Sequence, residues 1–211
     1  DFDAIRAELE VPGPFPDAVL AEADAVAAKD HPDHADATDL ELVTIDPHLH
    51  RYHSLSEIYS TDTQVLKADR TIANWIKQHI NKPLIIGPDS ESEQWAAATA
   101  DMIGCPHLVL SKERFGDRDV KISTPDTAGL ADHTPVLVDD IISTGRTMIE
   151  PADMLQAEGF NPPVCIGVHA VFSDADYQSL ANSNVQSVIT SNTIQHTSNG
   201  IDLSELILRA L

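Results

Sequence analysis

The sequence predicts an α/β fold: a mostly parallel sheet flanked by helices, preceded by an acidic, irregular or helical N-terminal arm. Three observations lead there. Short continuous apolar runs at 83–87 (PLIIG), 135–138 (PVLV) and 164–172 (VCIGVHAVF) have the length and texture of strands buried on both faces. The segments between them place apolar residues at helical spacing. Before these, residues 1–46 hold 13 of the 34 acidic residues and only two basic ones, Arg6 and Lys29.

Taken in order, residues 1–39 are rich in Ala, Asp, Glu and Pro and contain no strand-like run, so they form the arm; 40–211 form the domain. Pro12, Pro14 and Pro16 alternate and forbid a helix there, whereas Asp17 to Lys29 suits a short Ala-rich helix. Leu40 to Asp46 alternates apolar and polar residues as a strand does. Ala68 to Ile80 sets Ile72, Trp75, Ile76 and Ile80 on one helical face. Pro83 to Gly87 reads as a buried strand, and Ser92 to Ile103 as a helix stopped by Gly104. His107 to Leu110 is a further short strand, and Val120 to Ser123 a flanking one. Pro135 to Val138 is a strand closed by two aspartates, and Thr147 to Glu158 a helix stopped by Gly159. Val164 to Phe172 and Val185 to Thr190 complete the strands; Asp174 to Ala181 and Leu203 to Leu211 complete the helices.

The formal charge of −21 argues against a nucleic-acid or anionic-membrane surface, because phosphates in bulk are repelled. A small phosphate ligand is still admissible, since a local cradle of backbone N–H groups outweighs the global field. Cys105 and Cys165 each lie in or beside an apolar stretch and read as two buried thiols in a reducing compartment. No apolar run approaches the roughly 20 residues a membrane span needs. No charged-then-apolar leader opens the chain, so a cytoplasmic location is expected.

In such sheets, ligands sit at the carboxyl ends of strands. After PVLV come Asp139 and Asp140, then Ile141-Ile142, then Ser143-Thr144-Gly145-Arg146-Thr147 leading into a helix. Gly145 permits backbone conformations other residues avoid, three hydroxyls line the turn, and the helix N-terminus adds free N–H groups and its dipole. This is the chemistry of a monophosphate site. Two adjacent carboxylates upstream suit a sugar diol or a divalent cation.

The string Val136 to Thr147 resembles the phosphoribosyl pyrophosphate (PRPP) loop of type I phosphoribosyltransferases and of ribose-phosphate pyrophosphokinases (PRPP synthetases). The resemblance implies a type I phosphoribosyltransferase-like sheet, with Asp139 and Asp140 on the ribose hydroxyls and Ser143, Thr144, Gly145, Arg146 and Thr147 around the 5-phosphate. Synthetases usually carry Asp where Ser143 stands and Gly where Arg146 stands; Ser143 keeps hydrogen bonding and Arg146 adds a cation.

Further segments favour the synthetase. Val43-Thr44-Ile45-Asp46-Pro47-His48 looks like the strand ending in Asp-x-His whose His helps hold Mg–ATP, with His50, Arg51 and His53 close behind. Ile85-Ile86-Gly87-Pro88-Asp89 looks like the Ser-Pro-Asp segment whose Asp lies near the ribose and its metal, although Ser90, Glu91 and Ser92 replace the family's glycines. Ser111-Lys112-Glu113-Arg114 resembles the Lys- and Arg-bearing segment that opens the catalytic loop; Arg118 and Lys121 extend its positive charge. Ser187 to Thr193 resembles a late synthetase strand, with Asn192 in place of an acid.

The resemblance thus implies Mg²⁺-dependent transfer of pyrophosphate from ATP to ribose 5-phosphate. It assigns His48, Lys112 and Arg114 to catalysis and His48 and Asp89 to the metal, in a homo-oligomer with ribose 5-phosphate or PRPP and ATP as ligands. It runs from about Leu40 to the C-terminus and lacks the Arg-Gln-Asp adenine segment of the synthetase's first half, so the ATP site is incomplete in this sequence. A phosphoribosyltransferase that consumes PRPP, and a non-catalytic regulatory relative that binds ribose phosphate, are the alternatives. Pro16 to Ala23 and Thr38 to Pro47 also resemble the opening of an RNase II-type (RNB) exoribonuclease domain. That family's Asp-rich metal stretch does not follow, so no nuclease activity is expected.

Overall fold

The computed structural model describes residues 41–49, 52–88, 92–115, 119–123 and 129–210. The expected acidic arm, its Asp17–Lys29 helix, most of the RNB-like stretch, and His50, Arg51, Asp89 and Arg118 lie outside the described residues. The chain divides into two units, one of Asp1–Leu42 and Leu49–Thr63, the other of Val43–His48 and Gln64–Leu211. In the first, a short 3-10 helix, Leu55–Glu57, buries Leu55, and the His53 N–H donates to Glu57 Oε1 at 3.1 Å.

The second unit is built on a six-stranded sheet. Its strands are β3 (Pro83–Gly87), β4 (His107–Val109), β7 (Thr134–Ile142), β8 (Val164–Ala170), β9 (Ser187–Ser191) and β10 (Asn199–Ile201), in the order β10-β9-β8-β7-β3-β4. Every pairing in it is parallel. The helices are α1 (Asp69–His79), α2 (Glu93–Ile103), α3 (Arg146–Ala157), α4 (Asp174–Ala181) and α5 (Ser204–Leu208). β1 (Glu41–Ile45) and β2 (Asp62–Leu66) form a two-stranded sheet, and β5 (Ser111–Phe115) and β6 (Asp119–Ser123) an antiparallel ribbon.

The apolar runs explain the layering. Side chains alternate across a strand, so each continuous run feeds two faces. Ile85, Val136, Val138, Val164, Ile166 and Val168 enter one core with Ile72 and Ile76 of α1 and Ala96 and Ala100 of α2. Leu84, Ile86, Leu137 and Cys165 enter the other with Met148, Ala152 and Leu155 of α3 and Leu180 of α4. Each fully buried Ile or Leu contributes about 1.5–3 kcal/mol relative to exposure.

Most elements lie within a few residues of expectation, including the stops at Gly104 (φ 80°) and Gly159 (φ 84°). Three differences have clear causes. β7 does not close before the aspartates: Asp139, Ile141 and Ile142 pair with Gly167, His169 and Ala170, because β8 is long enough to carry the ladder past them. Residues 111–115, which carry no clear pattern in the sequence, form a strand, since all five residues of β5 find antiparallel partners in β6. β2 and β10 carry too few apolar residues to announce themselves; β2 (DTQVL) buries only Leu66. No helix among the described residues is long and apolar enough to cross a membrane.

Both cysteines are free; Cys165 is buried and Cys105 half-buried, so the expectation of two buried thiols holds in full only for Cys165. Burial pushes the Cys165 thiol up to about 12, and burial also raises Cys105, opposed in part by a backbone hydrogen bond from Ile85. A thiol pKa raised on folding makes stability fall once the unfolded thiol begins to ionise. The contribution of Cys165 is therefore expected to be intact up to about pH 9 and to be lost progressively towards pH 12. Thiol titration of the native protein at pH 8 should label Cys105 alone, with Cys165 reacting only on unfolding; early reaction of both contradicts this.

Candidate functional site

The carboxyl ends of β3, β7 and β8 frame a cleft of about 390 Å³, within the range of small-ligand pockets. Its lining comprises Asp46, Pro47, His48, Lys67, Pro88, Ser92, Trp95, Val138, Asp139, Asp140 and Val168. Gly87 is what lets α2 close the wall: a Cβ there would lie 2.6 Å from Ser92 Oγ and 3.4 Å from Ala96 Cβ.

Asp139 and Asp140 are half-exposed rather than pointed into either core. Each braces its own backbone: the Asp140 N–H donates to Asp139 Oδ1 at 3.0 Å and the Ile141 N–H to Asp140 Oδ1 at 2.8 Å. Asp140 Oδ2 meets His48 Nδ1 at 2.6 Å, across 92 residues of sequence. A carboxylate only accepts, so His48 Nδ1 carries the proton. A carboxylate behind one ring nitrogen is the usual support for a His that holds a metal or phosphate at the other.

His48 arrives there through a sharp bend after β1. Asp46 adopts φ 39°, a left-handed conformation that Asp tolerates better than most residues. Its side chain accepts from the Ala68 N–H at 2.8 Å and pairs with Lys67 Nζ at 3.0 Å. The His48 N–H then donates to the Asp46 carbonyl at 2.5 Å, a γ-turn centred on Pro47.

Beyond β7, Ser143, Thr144, Arg146 and Thr147 are exposed and Gly145 is buried. Gly145 has φ 74° and caps α3, whose Met148 and Ile149 N–H groups donate to its carbonyl at 3.0 and 2.9 Å. The turn is therefore open to solvent at the positive end of a helix, the arrangement that attracts an anion. Gly145→Ala combines a left-handed φ with a Cβ placed 3.2 Å from Leu180 Cβ. It is expected to destabilise the fold by about 1–3 kcal/mol, read as a lower urea midpoint; an unchanged midpoint contradicts the tight turn.

Of the residues singled out in the sequence, the structure brings His48, Asp139 and Asp140 into one cleft. Ser143 to Thr147 follow Asp140 on the same strand end but are not among the cleft's lining residues. Lys112 and Arg114 lie on β5, with side chains outside the described atoms, as is Asp89. Lys67, Trp95 and His169 were not singled out. His169 stands at the end of a buried strand, and Trp95 on the first turn of a helix that follows one, and both are positions where such sheets place ligand-facing groups.

Residues 54–205 match the phosphoribosyl transferase domain. The chain belongs to that family. As a phosphoribosyl transferase domain, it is similar to curated ribose-phosphate pyrophosphokinases. It is 28% identical over 174 residues to the protein of Sulfurisphaera tokodaii, covering 81% of this chain and 59% of that one. It is 30% identical over 169 residues to that of Methanothermobacter thermautotrophicus, covering 79% and 57%. Among solved structures, the phosphoribosylpyrophosphate synthetase of Mycobacterium smegmatis superposes with a TM-score of 0.69 at 22% identity, over 94% of this chain and 63% of that one. This last likeness bears on the fold. The chain spans less than two thirds of the length of these relatives.

Proposed function

We propose that this chain binds ribose 5-phosphate at the β7–α3 turn. We further propose that it acts as the ribose-side part of a ribose-phosphate pyrophosphokinase, in nucleotide biosynthesis. The observation that carries the reading is the continuous run from two half-exposed carboxylates, one held by His48, into an exposed hydroxyl turn capped by Gly145.

On this reading Asp139 and Asp140 accept from the ribose hydroxyls, and Ser143, Thr144, Arg146, Thr147 and the N–H groups at Gly145 hold the 5-phosphate. The anomeric hydroxyl attacks the β-phosphorus of ATP. The new bond forms between that oxygen and Pβ, the bond from Pβ to the α–β bridging oxygen breaks, AMP leaves, and the hydroxyl proton passes to solvent. Positioning and charge neutralisation supply most of the acceleration. Lys112 and Arg114 stabilise the transferring group, and Asp89 orients the ribose.

Mg²⁺ is the cofactor this chemistry calls for; bound, it neutralises the phosphate oxygens. On this reading the cleft's carboxylates would help hold it, since Mg²⁺ takes one or two carboxylates and fills its sphere with phosphates and water. No grouping of three His, Cys, Asp or Glu side chains able to hold a metal occurs among the described residues. His48 and Asp89 are the residues we assign to it. A homo-oligomer is part of the same proposal.

Incubation with ATP, Mg²⁺ and ribose 5-phosphate is expected to yield AMP and PRPP in equal amounts. AMP formed without ribose 5-phosphate contradicts the reading. Ribose 5-phosphate binding without product moves the chain to the regulatory alternative, and pyrophosphate release from PRPP on adding a nucleobase moves it to the transferase alternative. Arg146→Ala is expected to weaken ribose 5-phosphate binding about 10-fold, the effect of one charge-assisted phosphate contact, with ribose binding unchanged.

A further inference from the structure

The imidazole of His169, at the end of β8, is held on both sides. Nε2 lies 3.1 Å from the Ile45 carbonyl oxygen and 3.3 Å from that of Asp46. Carbonyl oxygens only accept, so Nε2 carries a proton and donates to both. Nδ1 lies 3.0 Å from Thr193 Oγ1. Thr193 is itself fixed by its own N–H, which donates to Ser191 Oγ at 3.3 Å, while its one hydroxyl proton is shared between His169 Nδ1 and the Val168 carbonyl, 3.0 Å away. The ring therefore ties the last residues of β1 to the central sheet.

Those last residues are the bend that delivers His48. The Asp46 carbonyl takes two donors, His169 Nε2 and the His48 N–H, so turning that peptide breaks both. Asp46 also sits at φ 39°, a conformation held by its surroundings. Removing the His169 donor cuts the tie from this peptide to β8, while Asp46 keeps its bonds to Leu66, Ala68 and Lys67 and its carbonyl keeps the His48 N–H.

We propose that His169 is a positioning residue: buttressed by Thr193, it fixes the Ile45 and Asp46 carbonyls and thereby sets His48 against Asp140 in the cleft. The geometric part is a property of the unliganded chain. Only its kinetic consequence rests on the pyrophosphokinase reading, where a supporting residue of this kind is worth about 10–100-fold.

The test follows the His48 Nδ1 resonance by ¹⁵N NMR of the full chain at pH 7.5, assigned with His48→Gln. His169→Phe keeps the ring and removes both donors. It is expected to move the His48 signal to that of a solvent-exposed imidazole. His169→Gln places an amide N–H near the Nε2 position and is expected to retain the native signal. His169→Asn reaches only the Thr193 side and is expected to behave like the Phe variant. In the pyrophosphokinase assay, His169→Phe should raise KM for ATP about 10-fold and leave KM for ribose 5-phosphate within about twofold. If no variant and no wild-type protein turns over, the function is refuted and the NMR result decides the positioning role alone. An unmoved His48 signal in His169→Phe, or equal behaviour of the Gln and Asn variants, overturns the proposal. Should the Phe variant fail to fold, Thr193→Val is read in its place, and an unmoved His48 signal there overturns it equally.

Discussion

Asp140→Asn is expected to weaken ribose 5-phosphate binding by about 10- to 100-fold, the worth of hydrogen bonds to a charged acceptor. The carboxylate has one oxygen on the Ile141 N–H and the other on His48 Nδ1, and Asp140 lines the cleft. The amide keeps one acceptor and substitutes a donor, which meets either the Ile141 N–H or the His48 Nδ1 proton. The sugar hydroxyls thus lose a charged acceptor, and His48 loses its support. Because the group is half-exposed, thermal stability should change little, within about 1 kcal/mol. Calorimetric titration checks the first part and thermal unfolding the second; native affinity in Asp140→Asn removes the carboxylate from the site.

The largest effect on stability is expected at Ile166. It is fully buried in β8, between Val138 of β7 and Ile189 of β9, in the core shared with α1 and α2. Ile166→Ala removes three carbons where parallel strands on both sides prevent collapse, so the loss combines the transfer term with a cavity. We expect about 3–4 kcal/mol, or a fall in melting temperature of roughly 10 °C for a chain of this size. Calorimetry that finds a shift of only one or two degrees contradicts the two-faced core.

Much of this was legible beforehand because the apolar runs are unambiguous. A run such as Leu84-Ile85-Ile86 has no polar face, so it must be covered on both sides, and the two cores follow. The exposed turn was legible because a glycine following two hydroxyl residues, after a strand and before a helix, marks a tight turn at a helix N-terminus. What escaped was non-local. The length of β8 was legible, but nothing in the sequence around Asp139 gives the register that draws the aspartates into its ladder. Nothing near His169 says that it meets the carbonyls of Ile45 and Asp46, more than 120 positions away. β2 and β10 escaped because pairing, rather than hydrophobic pattern, makes them strands.

The most direct measurement is a ¹H–¹⁵N titration of the whole chain, comparing ribose 5-phosphate with ribose. The phosphorylated sugar should shift the amides of Asp139, Asp140 and residues 143–147 together and saturably, whereas ribose alone should leave those of 143–147 unmoved. Shifts confined to other strands, or equal responses to both sugars, would contradict a phosphate grip at this turn.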